Sequence, residues 1–142
     1  MNRRFLLMLC ALVPVLLTGC ASTGGGAIDD SKIGRLAGSV GVTSEQAQAG
    51  VGAMLSLAQQ RLDTGEFQKI AGVIPRANEY VALGTRLGAY QDAITSATGL
   101  SAAFGKIGIS PEQANKFVPT VTDYVSKAAG RDVGLVFANA MK

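Results

Sequence analysis

The sequence predicts an all-α fold, a small bundle of about five to seven helices. Three observations support this. From Asp29 onward apolar residues recur at spacings of three and four, and no segment sustains the alternation of a half-buried strand. Two stretches also open with the polar pattern that caps a helix.

The first helix is expected from Asp30 to about Ser39, with Ile33, Leu36, Ala37 and Val40 on one side. Asp29 and Asp30 stand at its start, where the helix dipole favours negative charge. The second begins at Thr43 or Ser44. Gln46 falls three residues after Thr43, as a capping box requires, and Ala47, Val51, Met54, Leu55, Ala58 and Leu62 form one stripe. Asp63-Thr64-Gly65 reads as a turn before a short helix carrying Phe67, Ile70 and Ala71. That helix stops ahead of Pro75, because proline disfavours helical backbone in the residue before it.

Asn78 to Leu87 follows as a helix through Tyr80, Val81, Leu83 and Leu87, and Gln91 to Lys106 as another with Ile94, Ala97, Leu100 and Phe104 inside. Gly84, Gly88, Gly99 and Gly105 blur their boundaries, since a glycine costs about 1 kcal/mol in a helix interior. Ser110-Pro111-Glu112-Gln113 is a strong start, with serine as cap, proline at the first helical position and glutamine completing the box. Ala114, Phe117, Val118, Val121, Tyr124 and Val125 form its stripe. Pro119 removes one hydrogen bond within it, so the helix should curve there, around a core or opening a groove. Gly130 ends it, and Val133, Leu135, Val136, Phe137 and Ala140 mark a last helix.

The two best helix starts align. Val40-Gly41-Val42-Thr43-Ser44-Glu45-Gln46-Ala47 matches Ile107-Gly108-Ile109-Ser110-Pro111-Glu112-Gln113-Ala114, and the register continues by pairing Val51 with Val118, Met54 with Val121 and Ala58 with Val125. A duplicated helix-turn-helix unit explains this, and so does the small number of ways to cap an amphipathic helix.

Ahead of the helices the chain carries an address. Arg3 and Arg4 precede an apolar run from Phe5 to Leu17, the layout of a secretory signal peptide, and that run is shorter than the roughly 20 residues a spanning helix needs. Leu17-Thr18-Gly19-Cys20 then reads as a lipobox, with Cys20 the acceptor of diacylglycerol and of further acyl groups such as palmitate. Residues 1–19 are expected to be removed, Cys10 with them. Residues 20–28 form a lipidated cysteine and a Gly-rich tether, and 29–142 the helical domain. Buried acyl methylenes contribute about 0.8 kcal/mol each, so a multiply acylated Cys20 holds the protein permanently on a membrane it does not span. In bacterial lipoproteins of this layout an Asp after the cysteine tends to retain the protein at the inner membrane. Ala21 stands here, which points to the outer membrane, facing the periplasm.

Composition removes several function classes. Of the 142 residues there is no histidine, so the commonest general base and metal ligand are missing, and Cys20 is occupied by lipid. No cofactor or metal is expected. The 13 basic residues less Arg3 and Arg4 leave 11 against 10 acidic ones, scattered singly. Nucleic-acid binding needs a basic stripe that this distribution lacks. Gly24-Gly25-Gly26 has neither the lysine nor the strand of a phosphate loop.

Candidate sites are correspondingly few. Asp29 and Asp30 are the only adjacent carboxylates, and Glu66, Glu79 and Asp92 lie in separate elements. A hydrolase needs two carboxylates held together, whereas helix-surface carboxylates need no function. Arg76-Ala77-Asn78-Glu79-Tyr80 is the most polar knot with an aromatic, read either as a cleft wall or as the entrance to a helix. Gly34 with Gly38, and Gly84 with Gly88, have the spacing of close helix packing, although each segment holds an arginine. Met54, Phe104, Phe117, Tyr124 and Phe137 are the side chains expected around any apolar cavity between helices.

From about Leu36 onward the chain resembles the bacterial VcgC/VcgE family of unknown function. The resemblance rests on Val40-Gly41-Val42 with Gln46-Ala47, on Gly50 and Gly52, on Phe67 with Ile74-Pro75, and on Phe117-Val118-Pro119 with Tyr124-Val125. It implies a small helical domain, often attached to a signal or lipoprotein sequence, and supplies no catalytic residues. The expected function is therefore that of a non-enzymatic, lipid-anchored interaction or assembly domain, with a protein partner or self-association. The alternative is a carrier or sensor of an apolar ligand.

Overall fold

The computed structural model describes residues 27–142, which form seven helices and no strand. They are α1 (Asp30–Val40), α2 (Ser44–Arg61), α3 (Thr64–Ala71), α4 (Ala77–Arg86), α5 (Ala97–Lys106), α6 (Pro111–Ala129) and α7 (Arg131–Ala140). Leu17, Thr18, Gly19, Cys20 and Cys10 lie outside the described residues. The folded part reaches back to Ile28, one residue into the segment read as tether. Its side chain is buried and its N–H donates to the Val73 carbonyl at 2.6 Å.

Helix α2 is the centre of the molecule and departs from the expected single stripe. Every residue from Ala49 to Ala58 is buried, and α1, α3, α4, α5 and α7 all pack against it. A helix buried all round must present small residues where neighbours approach closely, and α2 supplies Ala47, Ala49, Gly50, Gly52, Ala53, Ser56 and Ala58. The closest approach is to α4. A Cβ at Gly52 would stand 2.0 Å from the Tyr80 carbonyl oxygen, so the α2–α4 contact exists only because residue 52 has no side chain.

The expected helix from Gln91 is shorter than its sequence pattern. Residues 88–96 are irregular, and α5 starts at Ala97 under a Ser96 cap whose hydroxyl accepts the Gly99 N–H at 3.0 Å. The reason is a long-range bond: the Ile94 N–H donates to the buried Ser56 hydroxyl at 3.2 Å, instead of to a carbonyl one turn back. This bond fixes the loop on α2 and satisfies a buried polar group that would otherwise be costly. Of the two glycine pairs spaced four apart, Gly34 and Gly38 face open space. Gly84 instead admits the Tyr90 ring, whose hydroxyl donates to the Val81 carbonyl at 2.8 Å. Helix α6 continues through the exposed Pro119, with Phe117, Val121 and Val125 buried on its inner side. In α7, Phe137 and Ala140 are buried while Leu135 is 58% exposed.

The two aligned segments form reciprocal contacts. Both capping boxes close: Thr43 and Ser110 accept from the N–H of Gln46 and Gln113, whose side-chain carbonyls accept from the N–H of Thr43 and Ser110. The spare amide of each glutamine then crosses to the other unit. Gln46 Nε2 donates to the Ile107 carbonyl and Gln113 Nε2 to the Gly41 carbonyl, both at 2.8 Å. The turns they reach are built alike, with Gly41 at φ 80° and Gly108 at φ 82°, a left-handed conformation that glycine adopts without strain. In each turn the residue after the glycine bonds back, Val42 to Ala37 at 3.0 Å and Ile109 to Phe104 at 2.9 Å. The equivalent positions Gly50 and Phe117 also meet, the ring filling the space a Cβ at 50 would take. The α1–α2 and α5–α6 units therefore meet through turns of the same build and through this pair of aligned positions.

Candidate functional site

The α2–α4 contact leaves a half-open surface cleft of about 420 Å³, lined by Ser44, Glu45, Gln48, Arg76, Glu79, Tyr80, Leu83 and Arg86. One wall is the first part of α2, placed by the Thr43 capping box, and the other runs the length of α4. Helix α4 begins where Ile74-Pro75 breaks α3 from it, and no side chain caps its start. The polar knot read from the sequence is therefore both a helix entrance and a cleft wall.

At the root of the cleft, Arg76 is held between two carboxylates. Its Nη1 donates to Asp30 Oδ2 at 2.5 Å, and its Nη2 and Nε donate to Glu79 Oε2 at 2.5 and 2.7 Å. Tyr80 donates its hydroxyl to Asp30 Oδ1 at 2.6 Å, and the Arg76 guanidinium lies 5.9 Å from the Tyr80 ring centre. The Tyr80 hydroxyl and the Arg76 charge hold the Asp30 carboxyl below the usual carboxylate range. Burial, then the Asp30 acceptor, pushes the Tyr80 phenol well above its ordinary value, while Glu79 and Asp30 raise Arg76 further. Asp30, Tyr80 and Arg76 are thus held in their ordinary charge states near neutral pH. Their bonds position α1 against α4.

The rim is different. Among the described residues, no hydrogen bond or ion pair engages the side chains of Arg86, Glu45 or Gln48, and Leu83 supplies a buried apolar floor. Nothing local in the sequence marks these residues, because α2 and α4 lie far apart along the chain. A second cleft of about 390 Å³ is lined by Arg61, Leu62, Val136, Asn139 and Ala140. There Arg61 is committed, its Nη1 to the Ala140 carbonyl at 3.1 Å and its Nε to the Thr95 carbonyl at 3.4 Å.

The other candidates fall in separate places. Asp29 caps α1, accepting from the Lys32 N–H and the Ser31 hydroxyl, both at 3.0 Å, which lowers its pKa. Glu66 sits half-buried in the first turn of α3, and Asp92 is exposed in the irregular segment. Met54, Phe104, Phe117 and Phe137 are buried in one core cluster and Tyr124 packs half-buried against it. Phe104 and Phe117 meet edge to face at 5.6 Å. Neither cleft is lined by any of the five. Among the described residues no group of three or more Cys, Asp or Glu side chains is placed to hold a metal ion, and no helix is long and apolar enough to cross a membrane.

Residues 29–140 match the model of a family described as protein of unknown function VcgC/VcgE. No curated protein and no solved structure matches the chain. With the match spanning nearly all of the folded part, the chain belongs to the VcgC/VcgE family.

Proposed function

We propose that this VcgC/VcgE-family chain is a lipid-anchored protein of the cell envelope whose helical domain acts by non-enzymatic binding, with the α2–α4 cleft as its recognition surface. The observation that carries the reading is the division of labour in that cleft. Its root is a closed network in which Arg76, Asp30, Glu79 and Tyr80 satisfy one another, while its rim holds Arg86, Glu45 and Gln48 uncommitted. A preorganised wall with free polar groups at its edge suits the recognition of a ligand. The anchor follows from Leu17-Thr18-Gly19-Cys20, and Ala21 favours the outer membrane, facing the periplasm.

Metabolic labelling with palmitate tests the anchor. The full chain should take up label and fractionate with outer membranes, and Cys20→Ala should abolish both. Label that persists in Cys20→Ala, or a wild-type chain that takes up none, contradicts it.

A further inference from the structure

We propose that the α2–α4 cleft binds a short peptide by its two ends, the free carboxylate on Arg86 and the free ammonium on Glu45. This rests on the binding-domain reading above and names the chemistry of the ligand.

The charges in the cleft decide the ligand class. A simple anion attracted to Arg86 would also face the carboxylates of Glu45 and Glu79, and a simple cation attracted to Glu45 would face Arg86 and Arg76. A ligand carrying both charges satisfies both sides. Arg76 and Glu79 are already paired, so the charges left to meet a ligand are the guanidinium of Arg86 and the carboxylate of Glu45. Arginine presents a planar fork that fits a carboxylate through two parallel hydrogen bonds, and a carboxylate accepts from an ammonium. The Gln48 amide offers a donor and an acceptor for a peptide group, and Leu83 gives small side chains an apolar floor. At about 420 Å³ the cleft lies within the range of small-ligand sites and is half open, which suits a short extended peptide.

The test is a titration of the full chain in detergent with trialanine, N-acetyl-trialanine and trialanine amide, followed by amide chemical shifts. Trialanine at millimolar concentration should give saturable shifts confined to Ser44–Gln48 and Leu83–Arg86, and either cap should weaken binding about ten-fold. Arg86→Ala and Glu45→Gln should each weaken binding about ten-fold, the loss of one charge-assisted contact, with unchanged melting curves showing that both variants fold. No saturable shift, equal binding of the three peptides, or indifference to either substitution overturns the proposal. Photocrosslinking in cells from a photoreactive residue in place of Ser44 separates this failure from that of the underlying reading. A discrete crosslinked partner with no trialanine binding leaves the binding domain standing and removes the peptide-end chemistry, while failure of both removes both.

Discussion

Gly52→Ala perturbs the α2–α4 contact at its tightest point. The new Cβ would stand 2.0 Å from the Tyr80 carbonyl oxygen, 2.4 Å from its carbonyl carbon and 2.8 Å from the Val81 nitrogen. All three are backbone atoms, so no rotamer relieves the clash and the helices must move apart by more than 1 Å to reach the 3.4 Å at which ordinary contact begins. Overpacking costs about 1–3 kcal/mol in cores that can adjust, and a rigid backbone puts this site at the upper end. Alanine returns about 1 kcal/mol of helix propensity, leaving a net loss of about 2 kcal/mol. Gly34→Ala and Gly38→Ala are the controls, since nothing lies within 4 Å of either new Cβ. They should be stabilised by about 0.5–1 kcal/mol. Urea unfolding of the full chain, followed by far-ultraviolet circular dichroism, reads all three. Gly52→Ala unfolding at the wild-type midpoint, or Gly34→Ala losing as much as Gly52→Ala, refutes the close-approach account.

Three further outcomes follow from the same geometry. Gln46→Glu and Gln113→Glu keep an acceptor for the capping box but lose the amide donated to the other unit. Each should cost about 1–2 kcal/mol in thermal melts, and a wild-type melt for either removes the reciprocal-contact account. Phe117→Ala empties the space beside Gly50 and the edge contact with Phe104, and should cost about 3–5 kcal/mol by urea unfolding. A loss below about 1 kcal/mol would mean that the core does not depend on that ring. Tyr80→Phe removes the donor that lowers Asp30, whose stabilising effect is present above its ordinary pKa of 3.8 and lost as pH falls through the lowered value. The raised Tyr80 pKa contributes stability that is complete below pH 10 and lost as pH rises beyond it. The wild-type advantage over Tyr80→Phe should therefore be full near neutrality and shrink below pH 3.8 and above pH 10. A difference that is flat with pH contradicts the network.

Local chemistry made much of the fold legible. The boxes at Thr43 and Ser110 need only residues three apart, and both formed where the sequence placed them. The aligned segments were visible too, but the crossing of Gln46 and Gln113 between units was not, because it joins residues more than sixty positions apart. The start of α5 was missed for a related reason. Ile94 looks helical by its spacing, but its N–H is taken by Ser56, 38 residues earlier. Small residues concealed the burial of α2, since Ala and Gly between the larger side chains read as a polar-tolerant face until other helices cover them. Of the cleft, the knot from Arg76 to Tyr80 stood out by composition, while Glu45, Gln48 and Arg86 acquire meaning only when α2 lies against α4.

Site-specific photocrosslinking in intact cells tests the central claim most directly. A photoreactive residue in place of Ser44, which lines the cleft, should capture a discrete partner that the same residue in place of the exposed Asn115 on α6 does not, and Arg86→Ala should reduce the product. Equal capture from both positions, or none from residue 44, contradicts a binding domain that works through this cleft.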